Sequence, residues 1–359
     1  MRNILKMLAV VLALGVVTIG VASAQPHTEL TNTFVWPEAG LTLPYPDGWG
    51  FINDSNFDFV LVEPTQNVSF IGLQSGSFAP DIETLEDMMR YIVDTDADNL
   101  VEITLGDAEA WRLDIENEGG KTTVVGFSPG EKRVALLILY TDNTADWGSV
   151  YEEVIAGTTV EPLALDHELL NSQMQTNFEA DGSLTVGDPE APMVIVEFMD
   201  FSCGHCASFN HSLDRLVQDY VMTGKARLTY SVLTFVGGPF SESAGTAQYC
   251  AAEQGFGWDM HTMLFREYET KGAQTAYTAD NIVAAVADSG LDVDIAAFET
   301  CLSNTKTEQF EANGAWADEM EVTGTPTAFY GTNTDELTLL QTRALLSIYD
   351  LLDAVEVSE

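Results

Sequence analysis

The chain has 359 residues, enough for two domains of about 100–200 residues each, and at 46% apolar residues it can bury real cores, which excludes wholesale disorder. Fourteen basic residues against fifty-six acidic ones give a net charge of −42. With no cationic footprint to neutralise phosphates, the charge disfavours nucleic acid and anionic membrane surfaces as partners.

The acidity is even: residues 25–165 hold 25 acids and 5 bases, and residues 191–359 hold 25 and 7. Such a surface implies solubility, or adaptation to salt or acid, and no specific activity. At the N-terminus, Arg2 and Lys6 precede an apolar run from Met7 to Val21, broken only by Thr18, and then Ala22-Ser23-Ala24. This pattern predicts a cleavable signal peptide over 1–24 and an extracytoplasmic mature chain from Gln25. A retained signal anchor is the alternative, because the run is near the lower length for a span. No cysteine lies near the cleavage site, so a lipoprotein anchor is excluded, and no other run is apolar enough to cross a bilayer.

Residues 25–162 read mostly as strands. Leu41-Thr42-Leu43 leads into the turn Pro44-Tyr45-Pro46-Asp47-Gly48, followed by Trp49-Gly50-Phe51-Ile52, and Phe59–Val62 and Val68–Ile71 continue the pattern. Leu85, Met88, Met89 and Ile92 share one face of a helix predicted over Ile82–Val93. Strands resume at Ala110–Ile115, Lys121–Phe127 and Val134–Tyr140, divided by Glu118-Gly119-Gly120 and Pro129-Gly130, and a helix over Ala145–Ile155 closes the half. This order predicts an α+β domain with an antiparallel sheet. The phrase Gly40–Trp49 and the element order behind it resemble the PsbP-like domains of exported bacterial proteins. No nucleophile, metal cluster or phosphate loop stands out in this half, so a binding or spacer role is expected. Asp94, Asp96 and Asp98 lack the glycine and distal glutamate of a calcium loop.

Residues 163–186 read as a linker, with a short amphipathic helix over Leu163–Met174 and then Asp181-Gly182-Ser183 and Gly187-Asp188-Pro189. No internal repeat is evident.

All four cysteines, Cys203, Cys206, Cys250 and Cys301, fall in the remaining half. A chain of this size needs no disulfides to hold its core, so cysteines in an oxidising compartment point to a specific use. Met193–Phe198 is a buried-strand run, and Phe209, Leu213, Leu216 and Tyr220 recur at helical spacing, so Cys203-Gly204-His205-Cys206 lies where a strand delivers the chain into a helix. Cys203 at the helix N-terminus would have its thiolate stabilised by free N–H groups and the dipole. His205 can add a charge or hydrogen bond, and Cys206 is within reach for a reactive disulfide. A c-type haem site is excluded because Ala207, not histidine, follows Cys206. Zinc would need further ligands, for which only His205 and His211 are near, and an inert disulfide would be poorly placed on one helical turn. His27, His167, His211 and His261 lack ligand spacing and read as surface or packing residues, and the aromatics around Trp258 and Phe265 read as core.

Three separated motifs then resemble the DsbA-like thiol:disulfide oxidoreductases: Gly187–Pro192 with the strand and Cys203–Cys206; Cys250–Gly255 with Trp258–Phe265; and Val322-Thr323-Gly324-Thr325-Pro326-Thr327. The resemblance covers 187–359 and implies a thioredoxin-like fold with a helical insertion. It makes Cys203 the attacking thiol, Cys206 the resolving one and His205 a tuner. Pro326 becomes a cis-proline that leaves the Thr325 backbone free for an extended substrate, and Glu197 a buried acid assisting proton transfer. It also implies a structural Cys250–Cys301 disulfide, with regulation or two free thiols as alternatives.

Many DsbA-like enzymes carry Pro-His where this chain has Gly204-His205, the pair of protein disulfide isomerases. A potential nearer −180 than −120 mV is therefore expected, a difference of roughly 60 mV, or about a hundredfold in equilibrium constant. The expected activity is disulfide introduction or exchange in reduced or misoxidised exported proteins. It needs no cofactor and no bound metal, and a membrane quinone-linked partner would reoxidise the dithiol. An isomerase or reductase, or a copper(I)- or zinc-binding module using the two thiolates, are the alternatives.

Overall fold

The computed structural model describes residues 29–36, 39–52, 57–63, 69–78, 82–93, 99–117, 119–130, 133–142, 147–161, 174, 176–340 and 346–355. The expected signal peptide, His27, His167, the Asp94–Asp98 run and almost all of the amphipathic helix expected over Leu163–Met174 lie outside them. The chain divides into two compact units, Met1–Ala164 and Leu165–Glu359.

In the first unit, β1 (Asn32–Trp36), β2 (Leu41–Tyr45) and β10 (Thr159–Val160) form a three-stranded antiparallel sheet. Between them run β3 (Gly50–Ile52), β4 (Phe59–Val62), β5 (Phe70–Ser77), α1 (Leu85–Val93), β6 (Val101–Leu105), β7 (Ala108–Asn117), β8 (Gly120–Phe127), β9 (Arg133–Asp142) and α2 (Gly148–Gly157). The strands among these make a seven-stranded antiparallel sheet in the order β3-β4-β5-β9-β8-β7-β6.

Strand periodicity explains the layers. Val134, Leu136 and Ile138 of β9 join Val60, Val62 and Val124 against Met88, Met89 and Ile92 of α1, while the alternate residues Ala135, Leu137 and Leu139 are equally buried on the opposite face. On that face Phe59 meets Phe34 and Trp36 of β1. A sheet covered on both sides reads as a continuous apolar run rather than as alternation. Gly126 lets β8 approach α1, since a Cβ there would fall 2.0 Å from the Met89 sulfur. Strand β6, unnoticed in the sequence, is an edge strand with mostly exposed residues and so carries little apolar signal.

In the second unit, β11 (Thr176–Phe178), β12 (Leu184–Val186), β13 (Met193–Met199), β14 (Ala226–Val232), β15 (Thr327–Gly331) and β16 (Leu337–Leu339) form a sheet in the order β11-β12-β14-β13-β15-β16. Only β13 and β14 pair in parallel, and the connection between them is α3 (Gly204–Leu216), extended by a π-helical turn at Val217–Val221. Between β14 and β15 stand α4 (Pro239–Ala252), α5 (Gly257–Lys271), α6 (Ala273–Ala276), α7 (Ala279–Asp288), α8 (Ile295–Leu302) and α9 (Thr307–Glu319); α10 (Leu346–Asp353) follows β16. Trp258 and Phe265 of α5 are buried in the core, as the sequence suggested.

The segment 176–186 differs from the linker expected there. It is a hairpin whose turn, with Gly182 at φ +82°, carries the loop-like composition, while Leu184 and Val186 are fully buried against β14. Its strands are three residues each, too short to reveal alternation.

Candidate active site

The alternation along β13 decides what meets the dithiol. Val194, Val196 and Phe198 pack with Trp316, Ala317 and Phe329, whereas Ile195 and Met199 join the core that contains Cys203, Cys206 and Leu213. Glu197 has the parity of Ile195 and Met199, and so enters the layer beneath α3. It is fully buried, and among the described residues neither carboxyl oxygen has a hydrogen-bond partner. Burial, and secondarily the charge of Cys203, push its pKa up to about 8, so it is mostly protonated at neutral pH.

Cys203 is the N-cap residue of α3, with extended backbone, and Cys206 lies in the first turn. Both are reduced and buried. The Cys203 thiol donates to the main-chain oxygen of Thr325 at 3.3 Å, and the Thr325–Pro326 peptide bond is cis. The two sulfurs have opposite electrostatics. A hydrogen bond from the Cys206 thiol, the Thr325 hydroxyl and the main-chain N–H groups of Cys206 and His205 lower the Cys203 pKa to about 5 against the opposing effect of burial. Cys206 is raised well above the ordinary thiol range, first by burial, then by its bond to Cys203 and by Glu197. At pH 7 Cys203 is therefore largely thiolate, a form that no longer donates to the Thr325 oxygen, and Cys206 is a thiol.

The structure thus gathers Glu197, Cys203, Cys206, Thr325 and Pro326 around one sulfur. Gly204 and His205 are exposed on the first turn of α3, and the His205 main-chain N–H is one of the groups that favour the thiolate. Cys250 and Cys301 are bonded to each other between α4 and α8. His211 pairs with Glu269 at 3.0 Å, and His261 is fully buried, stacked on Trp258 with centroids 4.6 Å apart. No group of three or more His, Cys, Asp or Glu side chains placed to hold a metal occurs among the described residues.

Sequence reasoning missed three contributors. Asp200, three residues after Glu197 and three before Cys203, is fully buried and ties the turn ahead of α3 to the loop after β14. Tyr277 donates to the main-chain oxygens of Phe201 and Leu264, pinning that turn to α5. The Tyr268 hydroxyl lies 3.4 Å from where a Cβ on Gly204 would stand. Only the Glu-x-x-Asp-x-x-Cys spacing was visible beforehand.

Comparison with known proteins agrees with this geometry. Residues 179–341 match the family model described as thioredoxin. The probable disulfide bond formation protein D of Bacillus cereus is 24% identical over 184 residues, covering 50% of this chain and 83% of that protein. A Na(+)/H(+) antiporter, NhaA 3 of Salinispora tropica, is 30% identical over 145 residues, which are 40% of this chain but only 21% of the antiporter's length. Among solved structures, oxidised BdbD from Bacillus subtilis aligns with a TM-score of 0.42 at 21% identity, covering 51% of this chain and 97% of that one. MdbA of Actinomyces oris, a thiol-disulfide oxidoreductase, aligns with 0.42 at 20%, covering 52% and 93%. Residues 179–341 are thus similar to the thioredoxin family, and this half of the chain resembles disulfide bond formation protein D.

Proposed function

We propose that this chain is an exported enzyme that introduces or exchanges disulfides in extracytoplasmic proteins through Cys203 and Cys206. The observation that carries the reading is the asymmetry of the two sulfurs: Cys203 holds its charge at the helix terminus while Cys206 holds its proton in the core.

The step begins with the oxidised pair. A substrate thiolate attacks the Cys203 sulfur and a mixed disulfide forms as the Cys203–Cys206 bond breaks. Cys206 leaves as a thiolate that its buried position disfavours, and Glu197, protonated near neutrality, supplies the proton. A second substrate thiolate then attacks the substrate sulfur, releasing Cys203 as its stabilised thiolate and the substrate as a disulfide. Two electrons pass to the enzyme, and a membrane quinone-linked partner removes them. An extended substrate strand would pair with the Thr325 backbone, whose oxygen receives the Cys203 thiol in the free protein. The Bacillus relatives are named for disulfide bond formation, which supports this direction.

The test is oxidation of a reduced, unfolded two-cysteine protein. Cys203→Ser is expected to abolish it, and Cys206→Ser to accumulate mixed disulfides visible by mass. Full activity in Cys203→Ser would overturn the mechanism. A potential in glutathione buffer above about −200 mV supports oxidation or isomerisation, whereas one near −270 mV or below makes the domain a reductase.

A further inference from the structure

Asp200 is an unusual residue to bury beside a thiolate. Its Oδ1 accepts from the Ser202 N–H at 2.8 Å and from the Ser241 hydroxyl at 2.6 Å, and its Oδ2 accepts from the Val236 N–H at 2.8 Å. Its main-chain oxygen accepts from the Cys203 N–H at 2.9 Å, and its main-chain N–H faces the Cys206 sulfur. One residue therefore touches both halves of the dithiol through its backbone, and through its side chain the loop between β14 and α4.

Three donors on one carboxylate favour the ionised form, whereas burial and the Cys203 charge oppose it. Burial is the largest of these influences and raises the Asp200 pKa. The site thus sets two acids at three-residue intervals before the reactive cysteine with opposite hydrogen bonding. Glu197 has no donor and keeps its proton, while Asp200 accepts from three donors, which oppose the effect of burial on its charge.

We propose that Asp200 is a positioning residue that sets the oxidising strength of the dithiol: its carboxylate ties the Cys203 turn to the 234–241 loop and holds a negative charge against the thiolate. The inference rests on Cys203 being the reactive thiol. A negative neighbour weakens the thiolate, and a weaker thiolate makes the reduced form less stable and the disulfide less oxidising. Asp200 would thus restrain a thiolate that the helix terminus alone would stabilise further. Glu197, Cys206 and the hydroxyls of Tyr268 and Tyr277 are the other titratable groups acting on Cys203 or Asp200.

The sign of the effect separates this role from a purely structural one. Asp200→Asn removes the charge but keeps an acceptor for Ser202 and Ser241. Ser241→Ala removes one of the three donors that favour the charge. The Cys203 pKa, read from thiolate absorbance against pH, and the equilibrium constant with glutathione are measured in full-length protein. Asp200→Asn is expected to lower the pKa and make the disulfide about three- to tenfold more oxidising, which is roughly 15–30 mV. Ser241→Ala, which weakens the charge without removing it, is expected to lower the pKa and shift the constant about two- to threefold in the same direction. If either variant raises the pKa, as loosening of the Cys203 turn alone would, or neither moves it, the proposal is wrong. Should Asp200→Asn fail to fold, Ser241→Ala decides alone, because a rise or no change in the Cys203 pKa overturns it. The pKa measurement needs no substrate, so its failure is distinguishable from failure of the exchange reading.

Discussion

Glu197 lies opposite Ala328 in the antiparallel ladder between β13 and β15, two residues past the cis proline. On the β15 side its cross-strand neighbour is therefore a methyl group, which offers no hydrogen bond to the carboxyl. With a folded pKa of about 8 against 4.5 for the free side chain, the native protein binds a proton that the unfolded chain releases between those values. Its contribution to stability is full below pH 4.5 and is lost as pH rises towards 8, by about 1.4 kcal/mol per unit. Glu197→Gln is expected to be more stable than the parent at pH 8 in the dithiol form, with the gap closing towards pH 4.5 in urea titrations. Disulfide exchange should slow about tenfold or more in stopped-flow measurements if Glu197 is the proton donor to Cys206, as proposed above.

His261 carries the opposite linkage. Burial lowers its pKa to about 3, and both ring nitrogens lack a protein partner among the described residues. It is held by rings: Trp258 face to face, and Tyr230, Phe201 and Phe265 edge-on. As pH falls below 6.5 the unfolded chain takes a proton that the native state refuses, so stability drops by about 1.4 kcal/mol per unit towards pH 3. His261→Phe suits the aromatic surroundings, and its melting temperature should fall less steeply between pH 6 and 4 than that of the parent.

Glu321 is the non-glycine residue with positive φ among the described residues, at +56°. It follows α9, where the Val322 N–H donates back to the Ala317 oxygen at 2.9 Å, the pattern of a helix end that usually holds glycine. Glu321→Gly is expected to stabilise by about 0.5–1 kcal/mol, seen as a higher urea midpoint at unchanged slope.

The Cys250–Cys301 bond spans 51 residues of the helical insertion. In the chain-entropy model such a loop contributes about 3–4 kcal/mol. Replacing both cysteines by alanine should lower stability by up to that amount while leaving the Cys203–Cys206 potential within about 10 mV. A larger shift in potential would make the pair regulatory rather than structural.

How much of this was legible beforehand depends on the kind of signal. Phe59–Val62 and the apolar face Leu85, Met88, Met89 and Ile92 were readable because burial imposes a period on them. The helix after Cys203 was readable for the same reason. Asp200 was not, because its partners, Val236 and Ser241, are brought in by the fold from 36 and 41 residues away. Glu197 could be placed only through its spacing to Cys203 and the resemblance, since a lone carboxylate in a strand does not declare which face it takes. The 176–186 hairpin was hidden by its glycine and aspartate turn, whose composition resembles that of a joint.

That hairpin bears on where the chain can be cut. The Thr185 hydroxyl is hydrogen-bonded to that of Thr229 at 2.7 Å in the interior, and the Tyr249 hydroxyl donates to the Gly182 oxygen at 2.7 Å. A fragment starting at Gly187 would strip β14 of its outer neighbour, uncover Leu228 and Tyr230, and take away the partner of the Thr229 hydroxyl and the acceptor of the Tyr249 hydroxyl. Any excised redox module therefore has to begin ahead of Thr176, on the N-terminal side of the boundary that motif matching alone would suggest.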